Sequence, residues 1–119
     1  MGESKKYKGS CHCGKVSYEA EMELGQVIAC NCSMCKRKGS LLTFVPETSF
    51  KLLSGADNLT SYHFNRNVID HNFCKTCGVT SFARGQRPDG VKTVAINARC
   101  LEGIDVEKLQ IKNYDGASK

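Results

Sequence analysis

Polar and apolar residues alternate along Lys15-Val16-Ser17-Tyr18-Glu19-Ala20-Glu21-Met22, the two-residue period of a strand with one face buried and one in water. Similar short runs predict strands at Leu41 to Val45, Phe50 to Leu53, Thr60 to Phe64, Thr80 to Ala83, Thr93 to Ala98 and Leu109 to Lys112. Turn formers separate them: Pro46, Ser54-Gly55-Ala56-Asp57-Asn58, Asn65-Arg66-Asn67, Arg87-Pro88-Asp89-Gly90 and Glu102-Gly103. Helical candidates are short, near Cys32 to Lys38 and Asp105 to Lys108. The pattern predicts a mainly β fold with one domain over residues 7–115. Polar tails, 1–6 and 116–119, are expected to fray. No interior stretch reads as a linker or a repeat.

A chain of 119 residues builds one core, small enough that metal staples would help it. The first twenty residues contain no apolar run resembling a signal peptide, and no stretch approaches transmembrane length. The expectation is a cytoplasmic protein without a membrane partner. In a reducing compartment clustered cysteines are metal ligands or redox groups rather than structural disulfides.

The formal net charge of +5 counts every cysteine as neutral. Seven thiolates around two zinc ions would bring it to +2, an ordinary value. The densest basic run, Lys36-Arg37-Lys38, reads as a solvated face. Nucleic-acid binding through it would weaken steeply with salt. The absence of tryptophan leaves little for base stacking.

Seven of the eight cysteines form three clusters, Cys11-x-Cys13, Cys30-x-Cys32-x-x-Cys35 and Cys74-x-x-Cys77. Zinc takes four ligands in a tetrahedron, and each pair can supply two from one tight turn. Cys74-Lys75-Thr76-Cys77-Gly78 is a knuckle motif in which backbone N–H groups face the sulfurs and glycine permits a positive φ. Cys11-His12-Cys13-Gly14 is a tighter version. Together they would close one structural site. Cys30, Cys32 and Cys35 would hold a second zinc from one face and leave its fourth position open, as a catalytic zinc requires. Three thiolates make that ion soft, so it favours sulfur as the fourth ligand. A thiol with an ordinary pKa of about 8.5 is deprotonated there. The predicted chemistry is activation of a small thiol rather than hydrolysis. The competing arrangement has Cys100 or a histidine closing the fourth corner and leaves two inert sites.

His12 lies between two ligands and is expected to point away from the metal, and His63 is an ordinary strand residue. His71 precedes Cys74 by three residues, so the knuckle would fix its position, and its pKa suits proton transfer near neutrality.

Taken together, Gly9-Ser10-Cys11-His12-Cys13-Gly14-Lys15-Val16, Cys30-Asn31-Cys32-Ser33-Met34-Cys35 and Phe73-Cys74-Lys75-Thr76-Cys77-Gly78-Val79 resemble the family of glutathione-dependent formaldehyde-activating enzymes and centromere protein V. The resemblance extends to Phe50-Lys51-Leu52-Leu53-Ser54-Gly55 and Asn97-Ala98-Arg99-Cys100-Leu101. It implies a β-tent fold of short antiparallel strands with zinc knuckles. Cys11, Cys13, Cys74 and Cys77 match the structural zinc ligands, and Cys30, Cys32 and Cys35 the catalytic ones. It also implies a carbon-sulfur lyase that joins glutathione to formaldehyde as S-(hydroxymethyl)glutathione. The eukaryotic branch is associated with chromatin and microtubules, but this chain lacks a long basic or proline-rich extension.

On this reading two Zn2+ and glutathione serve the reaction, and the partners are a thiol and an aldehyde. His71 is the candidate donor to the hemithioacetal oxyanion, with Asn31 and Ser33 as hydrogen-bonding alternatives. Lys36, Arg37 and Arg99 are candidate anchors for the carboxylates of glutathione. The alternative is a non-catalytic interaction module stapled by two structural zinc sites.

Overall fold

A computed structural model describes residues 5–30, 33–62, 70–86 and 89–114, with backbone only for residues 33–35, 70 and 86. Among the described residues ten strands and one short helix follow in the order β1 (Lys5–Ser10), β2 (Ser17–Met22), β3 (Gln26–Cys30), α1 (Ser33–Lys38), β4 (Leu42–Pro46), β5 (Phe50–Ser54), β6 (Leu59–Tyr62), β7 (Asp70–Cys74), β8 (Phe82–Gln86), β9 (Lys92–Asn97) and β10 (Gln110–Tyr114). They form a three-stranded sheet, β1-β2-β5, and a seven-stranded sheet, β10-β3-β4-β9-β8-β7-β6. Every pairing is antiparallel except that of β10 with β3, which is parallel. The expectation of antiparallel strands fails at that one edge, where the chain returns to β3 after the whole sheet has been laid down.

The alternation read along β2 is the alternation observed: Tyr18, Ala20 and Met22 are buried and Glu21 is exposed. Val27, Val45, Phe82, Val94 and Ile96 of the larger sheet join them in one core. Three aromatic rings tie the two sheets together. The ring centroids of Tyr18 and Phe82 lie 5.6 Å apart, edge to face, and Phe50 lies 5.3 Å from Tyr18 and 4.9 Å from Phe82. The Arg84 guanidinium covers the edge of this group, 5.4 Å from the Phe50 centroid, and reaches Glu47 at 3.7 Å.

Four elements differ from the sequence pattern. β1 begins at Lys5, inside the segment expected to fray, because Lys5 and Lys6 pair with Met22 and Glu21. β3 and β7 lie in stretches with no expected strand. The expected helix at Asp105 to Lys108 is a single 3-10 turn, Val106–Lys108, capped by the Asp105 carboxylate accepting from the Glu107 N–H at 3.1 Å. His63 and Phe64 fall outside the described residues. No helix is long and apolar enough to cross a membrane among the described residues.

Candidate metal centre and thiol site

The two knuckles are built alike. In each, the first cysteine donates its backbone N–H to the carbonyl of a valine just beyond the glycine, Cys11 to Val16 at 3.0 Å and Cys74 to Val79 at 3.1 Å. The chain is thereby folded back over the sulfurs. The reversal needs a positive φ after the second cysteine, and Gly14 and Gly78 supply it at 83° and 79°.

These turns converge on one point. The Sγ atoms of Cys11, Cys13, Cys74 and Cys77 all lie within 4.8 Å of one another, with Cys13 at 3.6 Å from both Cys11 and Cys74. Zinc–sulfur bonds of about 2.3 Å in a tetrahedron put the sulfurs about 3.8 Å apart, so the donor set fits Zn2+ by chemistry and by spacing. Cys11 and Cys74 are buried, Cys77 is partly covered and Cys13 is exposed.

N–H groups aim at the sulfurs around that point. Cys11 Sγ accepts from the Val16 N–H at 3.4 Å. Cys74 Sγ accepts from the N–H groups of Thr76 at 3.3 Å and Cys77 at 3.5 Å, and from Asn58 Nδ2 at 3.2 Å. The Cys77 N–H, opposed by burial and helped by the Thr76 N–H, holds the Cys74 thiol down at about 6. Cys74 is therefore favoured as a thiolate before the metal arrives, whereas at Cys13 the Lys15 N–H is outweighed by burial and the neighbouring sulfurs, which push that thiol up to about 11.

The chain matches the family described as "Glutathione-dependent formaldehyde-activating enzyme" over residues 6–112. It belongs to that family.

A curated relative from Phaeosphaeria nodorum, whose own description as a glutathione-dependent formaldehyde-activating enzyme is provisional, is 29% identical over 111 residues. That alignment covers 89% of this chain, which spans only 53% of the relative's length. A crystal structure of a Rhodobacter sphaeroides protein is similar to this family member at a TM-score of 0.74 and 31% identity, covering 88% of this chain and 99% of the other. The fold is shared with that solved protein.

Of the third cysteine cluster of this family member, the described Cys30 is not part of the four-sulfur group. Cys30 ends β3, half-buried, and Cys35 lies in α1, whose side chain at that position is not described. Cys32 and Asn31 lie outside the described residues, and of Ser33 only the backbone is described. Lys36 and Arg37 are exposed on α1. Arg99 is held against the end of α1 by its Nε–H, which donates to the Gly39 carbonyl at 3.1 Å.

His71 is buried on β7, and β8, β9 and β4 stand between it and Cys30. His12 is exposed. Cys100 lies beside the first cluster: its Sγ is 3.8 Å from the Thr80 carbonyl oxygen, and burial raises its pKa, with the neighbouring Cys11 and Cys77 adding to the rise.

Sequence reasoning missed Tyr114, which is the register partner of Cys30 across the parallel pair. It also missed Asn58, whose amide bonds Cys74 Sγ from sixteen residues away. Only the Asn in a turn-forming run hinted at the second, and nothing local hinted at the first.

Proposed function

We propose that this family member joins a small thiol such as glutathione to an aldehyde, as a carbon-sulfur lyase of the type that forms S-(hydroxymethyl)glutathione from formaldehyde. The reading rests on the division of the motif cysteines. Four can complete a metal site by themselves, which makes Cys30, Cys32 and Cys35 candidate ligands for a second ion with an open position. A zinc held by Cys30, Cys32 and Cys35 would supply a soft Lewis acid that lowers the pKa of a thiol bound beside it.

The residues around it divide the remaining work. Lys36 and Arg37, with Arg99 docked at the end of the same helix, offer cations to the two carboxylates of glutathione. Asn31 and Ser33 sit between the three cysteines in the chain and can hydrogen-bond the reacting groups. The new carbon–sulfur bond forms from the sulfur lone pair as the carbonyl π pair moves onto oxygen. The proton lost by the thiol is then matched by one gained at that oxygen. A donor must stand near Cys30, and the order of strands favours the Tyr114 hydroxyl over His71 for that role.

Exchange NMR on an equilibrium mixture of glutathione, formaldehyde and their adduct tests the reading, because thiols also add to formaldehyde unaided. The zinc-loaded protein should raise the exchange rate, and Cys32→Ser should return it to the spontaneous value while four-cysteine zinc remains bound. An exchange rate unchanged by the wild-type protein would overturn the enzyme.

The second reading is an interaction module with both zinc sites closed. The placement of Cys100 beside Cys11 and Cys77 counts against its simplest form, in which Cys100 completes the triplet. Titration of cobalt-loaded protein with glutathione separates the two. New thiolate-to-cobalt absorption indicates an open position, and an unchanged spectrum at two metals per chain indicates the module.

A further inference from the structure

Strand pairing fixes which side chains share a face with Cys30, because cross-strand partners point the same way and successive residues alternate. Val27, Thr43, Val45, Val94 and Ile96 are buried on the core side of the larger sheet. Cys30 and Ile28 therefore stand on the outer side. Ile28 pairs with Leu42, and Phe44 follows two residues later on the same face. Phe44 pairs with Ala95, and Ala95 with Ala83. This makes an apolar strip that starts at Cys30 and crosses β3, β4 and β9 to reach β8. Strand geometry puts Leu42 about 8 Å and Phe44 about 14 Å from Cys30 between Cα atoms.

Phe44 is 52% exposed, and the alanine beside it is too small to cover its ring. On the other side of Cys30 the chain enters α1, where Lys36, Arg37 and Lys38 follow one another and Arg99 docks. Charge lies on one side of the cysteine and apolar surface on the other. A glutathione molecule would turn its carboxylates to the charged side. The apolar side then faces the other reactant, and formaldehyde, which has no carbon substituent, would leave it in water.

We propose that Ile28, Leu42, Phe44 and Ala95 form the binding strip for the substituent of the aldehyde, and that the preferred substrate is an aldehyde with an apolar chain of hexyl length or an aromatic ring. This rests on the thiol-plus-aldehyde reading and adds the class of aldehyde. Chain length sets the preference: a butyl group ends near Leu42, and a hexyl group reaches the ring of Phe44. The burial of several methylene groups on a half-open face is worth about tenfold or more in affinity.

Two measurements on the zinc-loaded protein test it. The first compares kcat/KM, above the spontaneous rate, for formaldehyde, butanal, hexanal and phenylacetaldehyde with glutathione. The second needs no turnover and titrates S-methylglutathione and S-hexylglutathione by calorimetry. Hexanal should exceed formaldehyde, and the hexyl thioether should bind more tightly than the methyl one, each by about tenfold or more. Phe44→Ser and Leu42→Ser should each shrink both gaps to within about threefold, with the S-methyl affinity unchanged.

Equal kcat/KM across the aldehydes, together with equal thioether affinities, would overturn the inference and leave the thiol-plus-aldehyde reaction standing. No turnover with any aldehyde, but a hexyl preference that Phe44→Ser removes, would sink the reaction and support the strip. A change from dimer to monomer in Phe44→Ser, with both thioether affinities unaltered, would make the strip a subunit interface and overturn the proposal.

Discussion

Tyr114 and Cys30 are register partners across the parallel pair of β10 and β3, at the far edge of the seven-stranded sheet from Tyr62. Such partners share a face, so the tyrosine stands beside the first cysteine of the triplet. Tyr114→Phe should lower kcat for adduct formation by about tenfold to a hundredfold and leave KM within about twofold. His71→Gln should change kcat by less than about threefold, because three strands separate it from Cys30. The reverse order of effects would return the donor role to His71.

The two cysteine groups should fail in different ways. Cys13→Ser breaks the cluster that ties the first knuckle to the second, so it should lose one zinc and lower the melting temperature sharply. Cys32→Ser should also lose one zinc but melt close to the wild type. Metal analysis and thermal melts on the same samples decide it. Equal destabilisation by both would mean that the triplet is a second structural staple.

Asn58 donates its amide to Cys74 Sγ and to Thr76 Oγ1, each at 3.2 Å, and so holds the knuckle from outside. Groups that orient a metal ligand in this way are worth about tenfold to a hundredfold in metal affinity. Asn58→Ala should weaken zinc binding by that factor in competition with a chromophoric chelator. The fold should survive, since Asn58 keeps its backbone bonds to Gly55 and Lys75.

Gly9 lies against the ring of Tyr18, and a Cβ there would overlap the Tyr18 hydroxyl and ring carbon. Tyr18 is fully buried and cannot swing away, being packed on Phe50 and Phe82. Gly9→Ala should cost about 1–3 kcal/mol in urea unfolding.

Burial pushes the Tyr18 hydroxyl far above its ordinary value of 10.0. The folded chain keeps this proton where the unfolded chain loses it. Stability should therefore be insensitive to this group below pH 10 and fall as pH rises beyond it. The urea midpoint measured from pH 8 to pH 12 should show that fall, and Tyr18→Phe should flatten it. Phe at that position gives up the hydrogen bond to the Ser81 carbonyl at 3.4 Å, so its midpoint at pH 8 should be lower.

What the sequence could disclose follows the range of the physics. The strand at β2 was legible because its alternation is a local consequence of having one face buried. β1 was not, because Lys5-Lys6-Tyr7-Lys8 is held as a strand by pairing with β2 rather than by its own apolar residues. β7 was hidden for a similar reason: Asp70-His71-Asn72-Phe73-Cys74 has polar residues at buried positions and is held between β6 and β8.

The cysteine knuckles were determined by the sequence alone, since two sulfurs, a tight turn and a glycine of positive φ all lie within five residues. That Cys11 and Cys13 meet Cys74 and Cys77 at one point was decided by the tertiary structure. So were the place of Cys100 beside that point, of Tyr114 beside Cys30, and the apolar strip that leads to Phe44. A two-residue period tells a side chain which face it takes but not which strand will lie next to it. Neighbours across a sheet are chosen by contacts far apart in the chain, and on those contacts the second site depends.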